Sequence, residues 1–237
     1  MNKEQCTAIV LAAGQGKRMG TDIQKQYLHI EGNPILYYSL QVFQQSPIID
    51  RIILVVGRGQ KSYCEKEIVN NYKLDKVKSI VIGGAERYQS VWNGLQKTPR
   101  DGYVFIHDGA RPFVDEPMIE RAYQMVQECD ACVVGMPVKD TIKIVDAGGY
   151  ANETPDRDYV WMVQTPQVFK SELIQDAYAK LMKKSGVKVT DDAMVVEEML
   201  GKSVKLVEGS YQNIKITTPE DLGVAELFLN KKHKNSK

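Results

Sequence analysis

An excess of charge of one sign, paired metal-binding cysteines and bilayer-length apolar runs are all missing here, and each absence removes a class of function. Lys plus Arg number 31 against 30 Asp plus Glu, so the net charge is +1. No global field draws the chain to nucleic acid or an anionic membrane, and any bound anion has to be held by a local cluster. No apolar run approaches the roughly 20 residues of a membrane span, and the first residues lack the apolar stretch of a secretion signal. A cytoplasmic protein with no membrane and no nucleic-acid partner is the expectation. Of the four cysteines, Cys6, Cys64, Cys129 and Cys132, only the last two have a two-residue spacing. A zinc site would need a second pair or a nearby histidine. A redox pair would open a helix after a strand, and here the order is helix, then strand. Cys129 and Cys132 therefore read as separate buried thiols. His29, His107 and His233 are isolated, and none is given a ligand role.

Two familiar phosphate loops are missing as well, although a glycine loop is present. The apolar run Thr7–Leu11 reads as a buried parallel strand that empties into Ala12-Ala13-Gly14-Gln15-Gly16-Lys17-Arg18-Met19-Gly20. The dinucleotide fingerprint wants a third small residue where Met19 stands, and an acid where the chain has Val56-Gly57-Arg58. The P-loop's Gly-Lys-Ser/Thr is not there either. What remains is a loop that brings backbone N–H groups close to a ligand, with Lys17, Arg18 and Lys25 supplying positive charge. The reading is a phosphate cradle. The alternative is a tight strand-to-helix turn and nothing more.

Taken in order, Pro34 opens a helix through Phe43, Arg51–Val56 is a strand, and Gln60–Tyr72 is a polar helix. Ser79–Ile82 is a strand ended by Gly83-Gly84, and Glu86–Gln96 is a helix. Tyr103–His107 is a strand ending in Asp108-Gly109-Ala110-Arg111-Pro112, followed by a helix over Pro117–Glu128 and a strand over Ala131–Met136. Such alternation predicts an α/β fold with a doubly wound, mainly parallel sheet and right-handed crossovers. Ligands bind at the carboxyl ends of such strands, and the glycine loop, Gly83-Gly84 and Asp108 all fall there. From Val138 to Val163 the pattern becomes a hairpin too small for its own core. The remainder reads as helices over Ser171–Lys184 and Asp191–Leu200, strands over Val204–Val207 and Asn213–Ile216, and a helix capped by Thr218 with a frayed tail from Lys231. With no repeat or low-complexity linker, residues 1–237 make one domain carrying an inserted arm, 138–163.

Asp108, at the end of an apolar strand, is placed to hold a divalent cation bridging phosphates, or else to cap its loop. Gly84-Ala85-Glu86-Arg87 opens a helix on which Arg87 and Ser90 share a face. A glycine pair at a helix start suits a base or a phosphate.

Seven ordered motifs, LAAGQGKRMG, KQYL, GGAER, HDGARP, PVKDTIK, QTPQVF and NIKITTPEDL, resemble the 2-C-methyl-D-erythritol 4-phosphate cytidylyltransferase family over about 8–227. The resemblance implies a Rossmann-like nucleotidyltransferase fold and transfer of a cytidylyl group from CTP to a polyol phosphate, with Mg²⁺. It implies that Arg18 and Lys25 bind the triphosphate and stabilise the transition state, and that Asp108 holds the metal. Ala12, Ala13, Gly14 and Gly16 fall on the family's nucleotide loop, and Gly84, Ala85, Arg87 and Ser90 on its cytidine-contacting segment. It further implies a homodimer with arm exchange, in which Thr141 and Arg157 of the partner's arm meet the acceptor phosphate near Arg111, Thr165 and Lys215. Gln24 stands where the family often has proline, which predicts a looser turn at Lys25. The related ribitol-5-phosphate cytidylyltransferases share the loop and Gln-Thr-Pro-Gln. They usually show Gly-Gly after the first strand and lack the element present here as Asp140-Thr141-Ile142-Lys143. A catalytically dead nucleotide-binding regulator is the non-enzymatic alternative, and it would have no need of the metal aspartate.

Overall fold

The computed structural model describes residues 3–14, 24–184 and 186–235, with side chains to residue 231. Seven strands form its central sheet: β1 Cys6–Ala12, β2 Arg51–Val56, β3 Val77–Ile82, β4 Tyr103–Asp108, β5 Ala131–Pro137, β6 Trp161–Lys170 and β7 Lys205–Glu208. Their order is β7-β5-β6-β4-β1-β2-β3. All pairings are parallel except those of β6, which runs antiparallel between β4 and β5. The expected doubly wound, mainly parallel sheet is therefore present.

Strand periodicity sorts the core into two layers. Ala8 and Val10 of β1 join Leu36, Leu40 and Phe43 of α1 (Ile35–Gln45) and Met118, Ile119 and Val126 of α4 (Glu116–Cys129) on one face. Ile9 joins the other face, with Val91 and Leu95 of α3 (Arg87–Leu95), Ile174 and Tyr178 of α5 (Ser171–Leu181) and Val196 of α6 (Asp192–Leu200). Both faces are covered, which is why the strands are continuous apolar runs rather than alternating ones. A third small cluster, Ile30, Ile35, Phe113, Ile216, Ala225 and Leu229, docks α7 (Pro219–Asn235). Among the described residues, no helix is long and apolar enough to cross a membrane.

Several expectations are corrected. Pro34 is the residue before α1 rather than its first, held in a two-residue ribbon with His29. The polar helix is a short α2, Lys61–Tyr63, continued as a π-helix, Cys64–Asn70. The segment Asn213–Ile216 is not a strand: Arg111 Nη1 takes the Asn213 carbonyl at 2.7 Å, and the Ile216 N–H donates to Ala110 O at 2.9 Å. The last helix starts at Pro219, directly after Thr218 as expected, with the Thr217 and Thr218 N–H groups donating to the Asp221 carboxylate, but it continues to Asn235 instead of fraying from Lys231. Cys132 is buried, with Sγ on Ala122 O. Cys129 is only partly buried, with Sγ on the carbonyls of Met125 and Ala131.

The arm is shorter than its expected span. Trp161, Met162 and Val163 pair with Pro137, Met136 and Gly135 in the main sheet. What leaves the sheet is 138–160: a hairpin of Ile144–Val145 against Ala151–Glu153, then a 3₁₀ turn at Arg157–Tyr159.

Candidate active site

The chain passes from β1 to β2 on one side, while β4 pairs on the other side of β1, so the sheet's switch point lies between β1 and β4. Leu11 and Asp108 are register partners there, at the carboxyl ends of both strands. A cavity of about 570 Å³ opens at this point. It is lined by Leu11, Ala13, Gly14, Lys25, Gln26, Gly84, Ala85, Glu86, Arg87, Ser90, Asp108, Ala110 and Lys215.

Three segments converge on it, each fixed by its own hydrogen bonds. Gln26 is buried in the 3₁₀ turn Lys25–Tyr27. Its Nε2 donates to Ala12 O (2.7 Å), Gly14 O (3.1 Å) and Gln24 Oε1 (2.8 Å), stapling the Lys25 turn to the start of the glycine loop. Gln24 adopts φ −62° and ψ 134°, the φ that proline would impose, so the backbone matches the family's proline and the Gln24 amide bonds Gln26 instead. The Gly83-Gly84 turn requires glycine: a Cβ on Gly83 would sit 2.7 Å from Ser90 Oγ and also strike Ala13. Ser90 Oγ accepts the Gly84 N–H and donates to Glu86 O, while a Glu86–Gln89 capping box closes the start of α3. That pulls Arg87 over Asp108.

Asp108 is the electrostatic centre. Its Oδ1 accepts from Arg87 Nε at 3.3 Å, and its Oδ2 lies 2.8 Å from Lys215 Nζ. Burial by itself would raise its pKa, but the charges of Arg87, Lys215 and Arg111 prevail and hold it well below the usual carboxylate range. Arg87 also forks onto the fully buried Asp192, Nη1 to Oδ1 at 2.9 Å and Nη2 to Oδ2 at 2.7 Å. Burial opposes the Arg87 charge, yet Asp192 and Asp108 raise its pKa well above the ordinary value. Breaking a buried pair of this kind costs roughly 3–5 kcal/mol, against about 0–1 kcal/mol for an exposed one. The cavity's charged lining is thus Lys25, Arg87 and Lys215 with Glu86 and Asp108, and Asp192 pairs Arg87 from outside it.

Behind Asp108 lies a neutral relay. Burial pushes the His107 pKa down to about 4, so the ring carries one N–H at neutral pH. Nε2 faces the Arg111 carbonyl at 3.1 Å and has to donate, so Nδ1 accepts from the Thr165 hydroxyl at 3.0 Å. Thr165 Oγ1 in turn accepts the Asp108 N–H at 3.1 Å. Ser39 Oγ donates to Arg111 O, which pins the same loop to α1.

Of the residues expected from sequence, Ala13, Gly14, Lys25, Gly84, Ala85, Arg87, Ser90, Asp108 and Lys215 line the cavity. Ala12 is buried at the end of β1. Thr165 and Arg111 are not lining residues: the hydroxyl is turned to His107 and the guanidinium to Asn213 O. Thr141 and Arg157 are exposed on the arm and do not line it either. Gly16 and Arg18 lie outside the described residues. Asp192, Tyr178, Gln26 and the supporting role of His107 were not expected. Gln26 was the most accessible of them, because it adjoins Lys25 within a quoted motif.

Fold and site together define a nucleotidyltransferase of the Rossmann-like kind. A family model described as IspD, 2-C-methyl-D-erythritol 4-phosphate cytidylyltransferase, matches residues 6–231. The chain belongs to the 2-C-methyl-D-erythritol 4-phosphate cytidylyltransferase family. The protein of that name from Lachnospira eligens is 49% identical over 224 residues, 94% of this chain and 98% of its own. The one from Lachnoclostridium phytofermentans is 48% identical over 226 residues, 95% and 97% of the two chains. The crystal structure of 4-diphosphocytidyl-2C-methyl-D-erythritol synthase from Anaerococcus prevotii superposes with a TM-score of 0.83 at 35% identity, over 95% and 96% of the chains. That of 2-C-methyl-D-erythritol 4-phosphate cytidylyltransferase from Thermus thermophilus gives 0.74 at 29% identity, over 94% and 98%.

Proposed function

We propose that this chain transfers the cytidylyl group of CTP to the phosphate of 2-C-methyl-D-erythritol 4-phosphate. The products are 4-diphosphocytidyl-2-C-methyl-D-erythritol and pyrophosphate. An acceptor phosphate oxygen attacks the α-phosphorus of CTP in line, and the bond to the bridging oxygen of the β-phosphate breaks. Pyrophosphate leaves with that electron pair. No covalent enzyme intermediate is required, so positioning and charge neutralisation carry the rate. The observation that carries this reading is one cavity at the switch point, lined by the start of the glycine loop (Ala13 and Gly14), three basic side chains (Lys25, Arg87 and Lys215), Glu86 and an anionic aspartate.

Lys25, with Arg18, meets the triphosphate and the charge that develops on the leaving group. Ala13 and Gly14 present backbone to the phosphates, with Ala12 behind them and Gly16 assigned to the same loop by the family resemblance alone, and Gly84, Ala85, Arg87 and Ser90 frame the nucleoside. Lys215 reaches the acceptor phosphate, while Arg111 and Thr165 hold the Asp108 loop behind it. Thr141 and Arg157 come from a second subunit's arm in a homodimer, a reading supported by their exposure away from their own cavity. Four free cysteines suit a reducing, cytoplasmic setting.

Mg²⁺ fits the donors present. Asp108 is anionic, each of its oxygens has one cationic neighbour and a lone pair to spare, and Mg²⁺ is commonly held by one or two carboxylates plus substrate phosphates. When bound there, the ion neutralises phosphate charge. Asp108→Asn keeps the size but removes that charge, so activity should fall and need more Mg²⁺ to recover. An unchanged Mg²⁺ titration would leave Asp108 as a cap of its loop.

The reaction itself is tested by reading pyrophosphate release from CTP with 2-C-methyl-D-erythritol 4-phosphate, with ribitol 5-phosphate, and with no acceptor. Release with the first alone is expected. Release with ribitol 5-phosphate alone would reassign the acceptor, and release with neither would remove the catalytic reading.

A further inference from the structure

The second carboxylate of the charged cluster, Asp192, has no part in the chemistry above. It is fully buried at the first turn of α6 and does not line the cavity, yet it is held from three sides. Tyr178 Oη donates to its Oδ1 at 2.6 Å. Its own N–H and that of Ala193 both donate to Gln167 Oε1 at 2.9 Å. Arg87 forks onto it with both Nη groups. Helix capping does not explain it, because the neighbouring Asp191 takes the Met194 N–H and caps α6. The Asp192 carboxylate thus accepts two hydrogen bonds from one guanidinium and a third from Tyr178.

We propose that Asp192 is a positioning residue of the nucleotide site, holding Arg87 so that its Nε alone reaches Asp108. Two of the five guanidinium hydrogens then remain for a ligand in the cavity that Arg87 lines. Without Asp192 the guanidinium would be drawn to the nearest remaining anion and fork onto Asp108. That would turn the remaining N–H groups away from the ligand and fill the spare lone pair of Asp108 Oδ2, the oxygen that Lys215 already holds. The inference rests on the reading that CTP occupies this cavity.

The test is calorimetric titration of CTP with Mg²⁺, together with steady-state kinetics, on the wild type, Asp192→Asn and Tyr178→Phe. Asp192→Asn should weaken CTP binding about tenfold or more and raise the KM for CTP, leaving the acceptor KM within about twofold. Tyr178→Phe, which removes one hydrogen bond and keeps the carboxylate, should shift CTP affinity in the same direction by less. In an Arg87→Met background the effect of Asp192→Asn on CTP should vanish, since the two residues act as one unit. A folded Asp192→Asn protein with wild-type CTP affinity would overturn the proposal, as would the same loss persisting in the Arg87→Met background. If Asp192→Asn does not fold, Tyr178→Phe decides: a lowered Tm with unchanged CTP affinity makes the cluster structural only. A wild type that fails to bind CTP would instead remove the underlying reading, and would do so before any variant is compared.

Discussion

Lys25→Ala is expected to lower kcat about a hundredfold or more, the scale on which one preorganised electrostatic group acts, with little change in Tm. The expectation follows from how the residue is carried. Lys25 opens a three-residue 3₁₀ turn whose other members are buried. Gln26 staples the turn to Ala12 and Gly14, and the Tyr27 hydroxyl lies 3.1 Å from Cys64 Sγ in the core. The turn is therefore fixed before any ligand arrives, and its lysine lines the cavity. A charge delivered by a rigid mount costs no reorganisation when negative charge moves onto the leaving pyrophosphate. Truncating it removes transition-state stabilisation without disturbing the mount, so kcat should fall while the melting curve stays in place. From the sequence, Arg18→Ala should behave similarly. Near-normal turnover of Lys25→Ala in a stopped assay of pyrophosphate release would remove Lys25 from the mechanism.

The parts legible in the sequence were those written in local signals. Strands β1, β2, β4 and β5 are apolar runs closed by glycine, aspartate or proline, and both faces of the sheet bury them. Their carboxyl ends located the cavity. β6 was harder to see because its middle, Gln164-Thr165-Pro166-Gln167, reads as polar. Each of those polar side chains is satisfied at long range: Gln164 on Ser210 O, Thr165 on His107, and Gln167 on Asp191 and the start of α6. Asn213-Ile214-Lys215-Ile216 alternates like a strand, yet it serves as a strap that sets Lys215 against Asp108. Asp191-Asp192 reads as a cap followed by an acidic first turn. Nothing local says that the second aspartate turns inward to Arg87, 105 residues away in the chain. Pairings of that separation are decided by the sheet order, which single-sequence patterns do not specify.

Mixing two inactive variants, Arg157→Ala and Lys25→Ala, is expected to restore activity that neither has alone. The arm leaves the sheet on a braced root: the Val138 N–H donates to Val160 O, Tyr211 Oη donates to Pro137 O, and Lys139 Nζ lies 3.5 Å over the Tyr211 ring. Beyond that root the hairpin pairs only Ile144–Val145 with Ala151–Glu153, too little to be stable by itself in water. It nevertheless displays Val145 at 53% exposure and Tyr150 at 77%, and the 3₁₀ turn after it displays Tyr159 at 85%. Exposed apolar side chains on a projecting ribbon suit contact with another chain, and the commonest such partner is a second copy related by a two-fold axis. If each arm hooks over its neighbour, the Arg157 of one subunit completes the cavity of the other. In a mixed dimer the subunit with an intact Lys25 then receives an intact Arg157, and the other subunit's site lacks both. Random pairing makes half the dimers mixed, each with one working site of two, so about a quarter of wild-type turnover should return. An arm that folds back on its own subunit leaves every site with one defect. A mixture no more active than its parents, after subunit exchange has been verified by mass-tagged chains, would rule out the shared site.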